Sequence, residues 1–301
     1  MLLDQVLNSK KSGMLALKLA RWLPVPAGDW LSVKIGDYLS SKRDLPMVQA
    51  TRINQWVVKG ANIDDKKFDS VVRETLINYV KSMYYLFHYW DNVEELEKFL
   101  RYSPESEIII DRHKEKREGT MVVFMHSCNF DVSLRGALRR GLNGLALSLP
   151  EANEAIEWQH SLRERSGLEI KPASIAVLRE AAERLKAGEA VVTGLDRPLP
   201  ESKYRPNFFG RPTPLPVHYI YLAIKAEVPV AILTSIRAPD GKFNILASEL
   251  IRMEKLENRS GEIIYNAEKV LAVAEEFIKL APTQWTVLHP LWPEEAANLP
   301  K

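Results

Sequence analysis

The chain has 301 residues, 46% of them hydrophobic and 27% charged, which suits a globular protein with a sizeable core in one large domain or two small ones. A net charge of +2 provides no basic stripe of the kind that phosphate backbones require, so a nucleic-acid partner is not expected. The single cysteine, Cys128, excludes an internal disulfide and fits a reducing compartment.

Along the chain, "MLLDQVLNSKKSG" breaks its apolar part with Asp4 and places its lysines after that part. It does not read as a secretory signal. No run reaches the roughly 18 uncharged apolar residues needed to cross a bilayer, so the expectation is a chain that is soluble or lies on a membrane surface. Residues 13–103 read as helical. "GMLALKLARWL" stops at Pro24, and its flanking Lys10, Lys11, Lys18 and Arg21 beside Leu and Trp suit an anionic lipid surface. A helix that docks on the rest of the domain is the competing reading. In 68–90, Val72, Leu76, Tyr79, Met83 and Leu86 recur at three and four residues, a helical period. The same helix carries Tyr84, Tyr85, Phe87, Tyr89 and Trp90, which makes it apolar nearly all round; such a helix is buried or faces lipid, and core is the preferred reading.

From residue 107 the pattern becomes an alternation of strands and helices. "EIIID" (107–111), "TMVVFM" (120–125), "LNGLALSL", "EAVVTGL", "VPVAILTSI" and "KFNILAS" read as strands. Helices are expected at 129–140, in "EANEAIEWQHSLRERSG", in "PASIAVLREAAERLKAG" with Pro172 near its start and Gly188 past its end, in "VHYIYLAIKAE" and in "GEIIYNAEKVLAVAEEFIKLA". This alternation predicts an α/β fold, a central sheet flanked by helices, with a helical N-terminal part packed on it. A soft boundary falls near residue 104 and separates a helical docking region, 1–104, from an α/β core, 105–301.

The stretch "TMVVFMHSCNFD" runs apolar and then turns polar at His126, with Asp131 five residues on. A lone His–Asp pair also arises by chance. In this context His126 ends a strand, Asn129 suits an N-cap, and Asp131 falls in the first turn, where the helix dipole favours a carboxylate. The two are expected to meet, Asp131 orienting His126 as a general base. G-x-S-x-G does not occur, so the nucleophile would be a hydroxyl of the substrate.

His-x4-Asp after an apolar strand resembles the signature of the glycerolipid acyltransferase superfamily. Further segments resemble its branch that acylates bacterial lipid A and mycobacterial phosphatidylinositol mannosides: "GLEIKPASIAVLREAAERLKAGEAVVTGLD", "LDRPLPESKYRPNFFGRP", "YLAIKAEVPVAIL" and "PTQWTVLHPLWP". They follow the family's order over roughly residues 120–293. The resemblance implies His126 as base and Asp131 as its charge partner. It implies a site shaped by Asp196 and the Phe208-Phe209-Gly210 turn, with Arg163, Arg165, Arg197 and Arg205 binding substrate. It further implies acyl-CoA or acyl-ACP as co-substrate, with no metal or other cofactor. A lipid or glycolipid would be the acceptor, and the protein would be peripheral on the cytoplasmic face of the membrane. The acyl chain would lie in an apolar groove between the helical part and the sheet. Two positions depart from the family pattern: Cys128 stands where glycine is usual, and Arg205 stands near a place where mannoside-acylating members often carry an acidic residue.

Other residues have plainer readings. Cys128 is a small buried filler in preference to a nucleophile. His88, His113, His160, His218 and His289 show no metal-ligand spacing, and His218 reads as a buried helix residue. Arg197, Lys203, Arg205 and Arg211 form a basic loop, solvated on charge alone and suited to phosphates of an acyl carrier or headgroup in the context of the motifs. Two other functions stay open: a lipid-binding relative that transfers nothing, and a thioester hydrolase that uses water.

Overall fold

A computed structural model describes residues 10–115, 118–149 and 154–300. The reading of the first nine residues as lacking a secretory signal, and the expected helix start at 151–153, lie outside the described residues. Among the described residues five helices come first: α1 (Lys10–Trp22), α2 (Val25–Ser40), α3 (Pro46–Val58), α4 (Asp65–His88) and the short α5 (Val93–Glu97). Asp64 caps α4 by accepting from the amides of Lys66 and Lys67, and prolines open α2, α3 and α6 (Pro104–Lys114), where the missing N–H costs nothing. Then follow β1 (Leu100–Tyr102), α6, β2 (Thr120–Phe124), α7 (Phe130–Arg139), β3 (Gly144–Ser148), α8 (Glu154–Arg165), β4 (Leu168–Pro172), α9 (Ile175–Lys186) and β5 (Ala190–Gly194). The chain continues through β6 (Asn207–Phe208), β7 (Arg211–Pro212), α10 (His218–Ala226), β8 (Val230–Arg237), β9 (Phe243–Ala247) and α11 (Arg259–Leu280).

Seven strands form one sheet in the order β1-β9-β8-β2-β5-β3-β4. β8, β2, β5, β3 and β4 are mutually parallel, β9 runs antiparallel to β8, and β1 is parallel to β9. The expected α/β architecture is therefore present, with the helical N-terminal part packed on the sheet. All five residues of central β2 are buried, as a parallel strand covered on both faces requires. Its side chains alternate between two cores. Met121 and Val123 point to the side of α9, α10 and α11. Val122 and Phe124 point to the side of α4, α6 and α7.

The aromatic end of α4 is core: Tyr84, Tyr85, Phe87, Tyr89 and Trp90 are all buried against that second face. α2 packs closely on α4 because two of its residues have no side chain. A Cβ on Gly28 would sit 2.1 Å from the Tyr84 ring, and one on Gly36 would sit 2.8 Å from the Ile77 backbone.

Three elements differ from expectation. "EIIID" is helical, lying within α6, because Ser103 accepts from the amide of Ser106 and Pro104 starts the turn. Its three isoleucines mimic a strand, yet only Ile109 and Ile110 are buried, while Ile108 is exposed. β1 and β4 are short edge strands that the apolar pattern does not mark. β1 precedes the expected boundary at 104 and still hydrogen-bonds into the sheet. Pro172 ends β4 instead of opening a helix; α9 begins after Ser174, whose side chain accepts from Val177 N–H.

Candidate active site

β2 and β5 are paired in register, with Phe124 opposite Gly194, and Leu195 N–H continues the ladder to Phe124 C=O at 3.0 Å. Two residues beyond this pair, a polar side chain follows each strand at the carboxyl end of the sheet, His126 after β2 and Asp196 after β5. His126 Nδ1 lies 2.6 Å from Asp196 Oδ1. The His126 backbone N–H donates to Asp196 Oδ2 at 2.9 Å, and Trp285 Nε1–H donates to the same oxygen at 2.7 Å. Asp196 is 0% exposed, and these three donors compensate the burial of its charge. A carboxylate only accepts, so in the neutral imidazole the proton sits on Nδ1 and Nε2 carries the lone pair. The ring lies over Gly194, where a Cβ would come within 3.2 Å of Cε1. The His126 side chain is 37% exposed, toward a cavity.

This arrangement corrects the expected pairing of His126 with Asp131. Asp131 instead takes a two-point grip from Arg163, Nε to Oδ1 at 2.6 Å and Nη2 to Oδ2 at 3.0 Å. The pair is largely buried. The first turn of α7 aims the carboxylate at α8, while the β2–β5 register puts a different carboxylate against the imidazole. Arg163 also lies over the Phe130 ring at 5.2 Å, and Phe130 packs beside His126 with centroids 5.7 Å apart. Asp131 and Arg163 thus support the wall next to the imidazole without bonding to it.

The loop after β2 is stapled to the C-terminal segment. Thr286 N–H donates to His126 C=O at 2.8 Å, Cys128 N–H donates to Gln284 C=O at 2.5 Å, and Ser127 bridges Trp285. Cys128 is buried, and burial pushes its thiol up to about 12 despite a stabilising contact with the Thr286 hydroxyl. It is inert filler at neutral pH. Asn129 occupies the N-cap position of α7, but its side chain makes no capping bond because its backbone is left-handed, contrary to the expected cap.

The cavity has a volume of about 370 Å³. One zone is apolar and runs across the sheet: Phe124 of β2, Val192 of β5, Ala146 of β3 and Leu168 and Ile170 of β4, covered by Met83 of α4 and Leu134 of α7. The other is polar and lies at the strand ends, with His126, Asn129, Asp131, Arg163, Arg197 and His218. His160 and His289 line the same space, so histidines distant in sequence converge here. His218 Nε2 lies 3.0 Å from the Thr193 hydroxyl, and burial lowers its pKa to about 4, which keeps it neutral.

Not every residue expected at the site is there. Arg165 is exposed on α8 and does not line the cavity. Arg205 is exposed, reaching Pro200 C=O at 3.4 Å. Phe208, Phe209 and Gly210 also lie off the cavity wall. Phe209 and Gly210 both have positive φ and turn the β6–β7 hairpin, while Phe208 is fully buried in the opposite core between Trp285 and Trp292. Phe208 and Phe209 pack against the Trp285 ring that donates to Asp196. The role of Trp285 escaped sequence reasoning, although "PTQW" was recognisable as a segment.

The family model for bacterial lipid A biosynthesis acyltransferases matches residues 11–294. No curated protein matches the chain.

Proposed function

The chain belongs to the bacterial lipid A biosynthesis acyltransferase family, and from that premise we propose that it moves a fatty acyl group from an acyl thioester to a hydroxyl of a lipid or glycolipid, with His126 as general base. Membership makes the protein an acyltransferase that acts on lipid. The observation that carries the finer reading is the 2.6 Å contact between His126 Nδ1 and Asp196, which leaves Nε2 for the cavity. In the step proposed, the acceptor oxygen attacks the thioester carbonyl carbon as Nε2 takes its proton. The carbonyl π pair moves onto oxygen. The tetrahedral adduct then collapses, the C–S bond breaks, and the thiolate leaves with the proton returned by His126. Asp196 holds the ring and stabilises the imidazolium between these two transfers.

The apolar zone from Phe124 to Ile170 suits an acyl tail, and the polar zone around Arg197 suits the phosphates of a CoA or carrier-protein donor, since guanidinium forks match phosphate. No helix among the described residues is long and apolar enough to cross a membrane. Binding at a membrane surface is supported by α1 and α2, whose outer side exposes Leu15, Leu19, Trp22, Trp30, Leu31 and Ile35 among Lys10, Lys11, Lys18, Arg21 and Lys34. Trp22 is 88% exposed and Trp30 62%. Large aromatic and aliphatic side chains left in water beside cations are the composition of an interfacial surface.

The test is mass spectrometry of lipids extracted from cells with and without the protein. An additional acyl chain on a lipid, dependent on the protein, is expected. Release of free fatty acid alone would make water the acceptor and remove the transferase reading.

A further inference from the structure

Asn129 is the residue of the site whose position nothing in the fold explains. Asparagine at an N-cap normally bonds the N–H of the second or third helical residue. Here φ is 70° and ψ 15°, and no such bond forms. The residue is 6% exposed, it lines the cavity with His126, and its Oδ1 is sealed from solvent with no hydrogen-bond partner. An unpaired buried amide is costly, and so is a left-handed backbone at a residue other than glycine. Two such costs at one residue, three positions from the base, mark a side chain held in place for a role in the site.

The acyl-transfer step needs a donor there. As the acceptor oxygen adds to the thioester, the carbonyl oxygen takes on negative charge and requires an N–H or similar group already in place. Two backbone amides in this loop are unavailable: Cys128 N–H is held by Gln284 C=O at 2.5 Å, and Phe130 N–H by Ser127 C=O at 3.2 Å. Between them stand the backbone N–H of Asn129, which no carbonyl among the described residues holds, and the side-chain amide of the same residue. Its Nδ2 carries two N–H donors and, unlike Oδ1, is not one of the sealed atoms, so it can present an N–H to the cavity the residue lines. The N-terminal end of α7 adds a positive field, which the Asp131 carboxylate does not cancel because Arg163 neutralises it.

We propose that Asn129 is a catalytic residue, its Nδ2–H donating to the thioester oxygen as that oxygen becomes an oxyanion. The proposal rests on the acyl-transfer reading and adds to it a role for a side chain outside the His–Asp pair. No electrons or atoms beyond those of the transfer step are involved: the amide bonds the oxyanion during addition and releases it as the carbonyl re-forms and C–S breaks.

Two variants test it. Asn129→Gly keeps a backbone that tolerates positive φ and removes the amide; Asn129→Asp keeps the shape and replaces the donor with a carboxylate. In a purified thioester-to-lipid transfer assay, both should lose roughly 10²–10³-fold in kcat, with KM changed less than severalfold and thermal unfolding close to the parent. Turnover within about threefold of the parent in either variant overturns the role of Asn129. If the parent protein itself transfers no acyl group, the acyl-transfer reading fails instead, and the parent and His126→Ala measured alongside keep the two failures apart.

Discussion

His126 and Asp196 meet because β2 and β5 pair with Phe124 opposite Gly194. The carboxylate grips one residue twice, at the ring nitrogen and at the backbone amide of the same histidine. The imidazole is therefore fixed both in rotation and in tautomer before any substrate arrives.

Asp196→Asn tests that grip. An amide presents an N–H of its own, so either it opposes the Trp285 donor or it forces Nδ1 to accept and moves the imidazole proton to Nε2. The second outcome removes the base; the first keeps the tautomer but sets two donors against each other and withdraws the negative charge that stabilises the imidazolium. Turnover in steady-state acyl transfer should fall by roughly 10²–10⁴-fold, with secondary structure by circular dichroism unchanged. A fall of less than tenfold would detach Asp196 from the mechanism.

The Asp131–Arg163 pair should behave as a structural ion pair. Removing one partner of a largely buried pair leaves an uncompensated charge, which costs about 3–5 kcal/mol. Chemical denaturation of Asp131→Ala and Arg163→Ala should show losses of that order, and the double variant should lose much less than their sum. Additive losses would show that the two side chains do not interact in solution.

Cys128 should be dispensable. Its thiol is pushed up to about 12 by burial, so the reactive thiolate is scarce at neutral pH. Iodoacetamide should leave the native protein unmodified at pH 8, and Cys128→Ala should transfer acyl groups at a rate within a fewfold of the parent. Rapid alkylation that abolishes turnover would contradict this.

His218 gives the fold a pH limit. Burial lowers its pKa to about 4 in the folded protein, against about 6.5 when exposed. Between those values the unfolded chain binds the proton and the folded one does not, so stability is fully present above pH 6.5 and declines as pH falls toward 4. The loss is at most about 3 kcal/mol, less for the part of the ring that meets the cavity. Urea unfolding at pH 7 and pH 4.5 should show a smaller decline for His218→Gln than for the parent. Equal declines would mean that His218 does not titrate this way.

What the sequence made legible was local. The run "MVVF" marks a strand buried on both faces, and the polar break after it marks His126 at the strand's end. The partner of His126 was not legible, because Asp196 lies 70 residues away and is brought there by strand register. Nearness in sequence pointed to Asp131, which the first turn of α7 directs to Arg163. The Phe208-Phe209-Gly210 segment was recognisable, but the burial of Phe208 on the far side of the sheet depends on Trp285 and Trp292, about 80 residues further along the chain. β1 and β4 are too short to show a period, and the isoleucines of α6 carry strand-like residues inside a helix that its Ser-Pro start defines.

The central claim is that Nε2 of His126 takes the proton of an attacking lipid hydroxyl. It is tested most directly by purified His126→Ala in an assay that follows thioester consumption and acylated lipid together. We predict both fall by roughly 10²–10⁴-fold or more while the protein remains folded; near-normal formation of acylated lipid by that variant would contradict the mechanism.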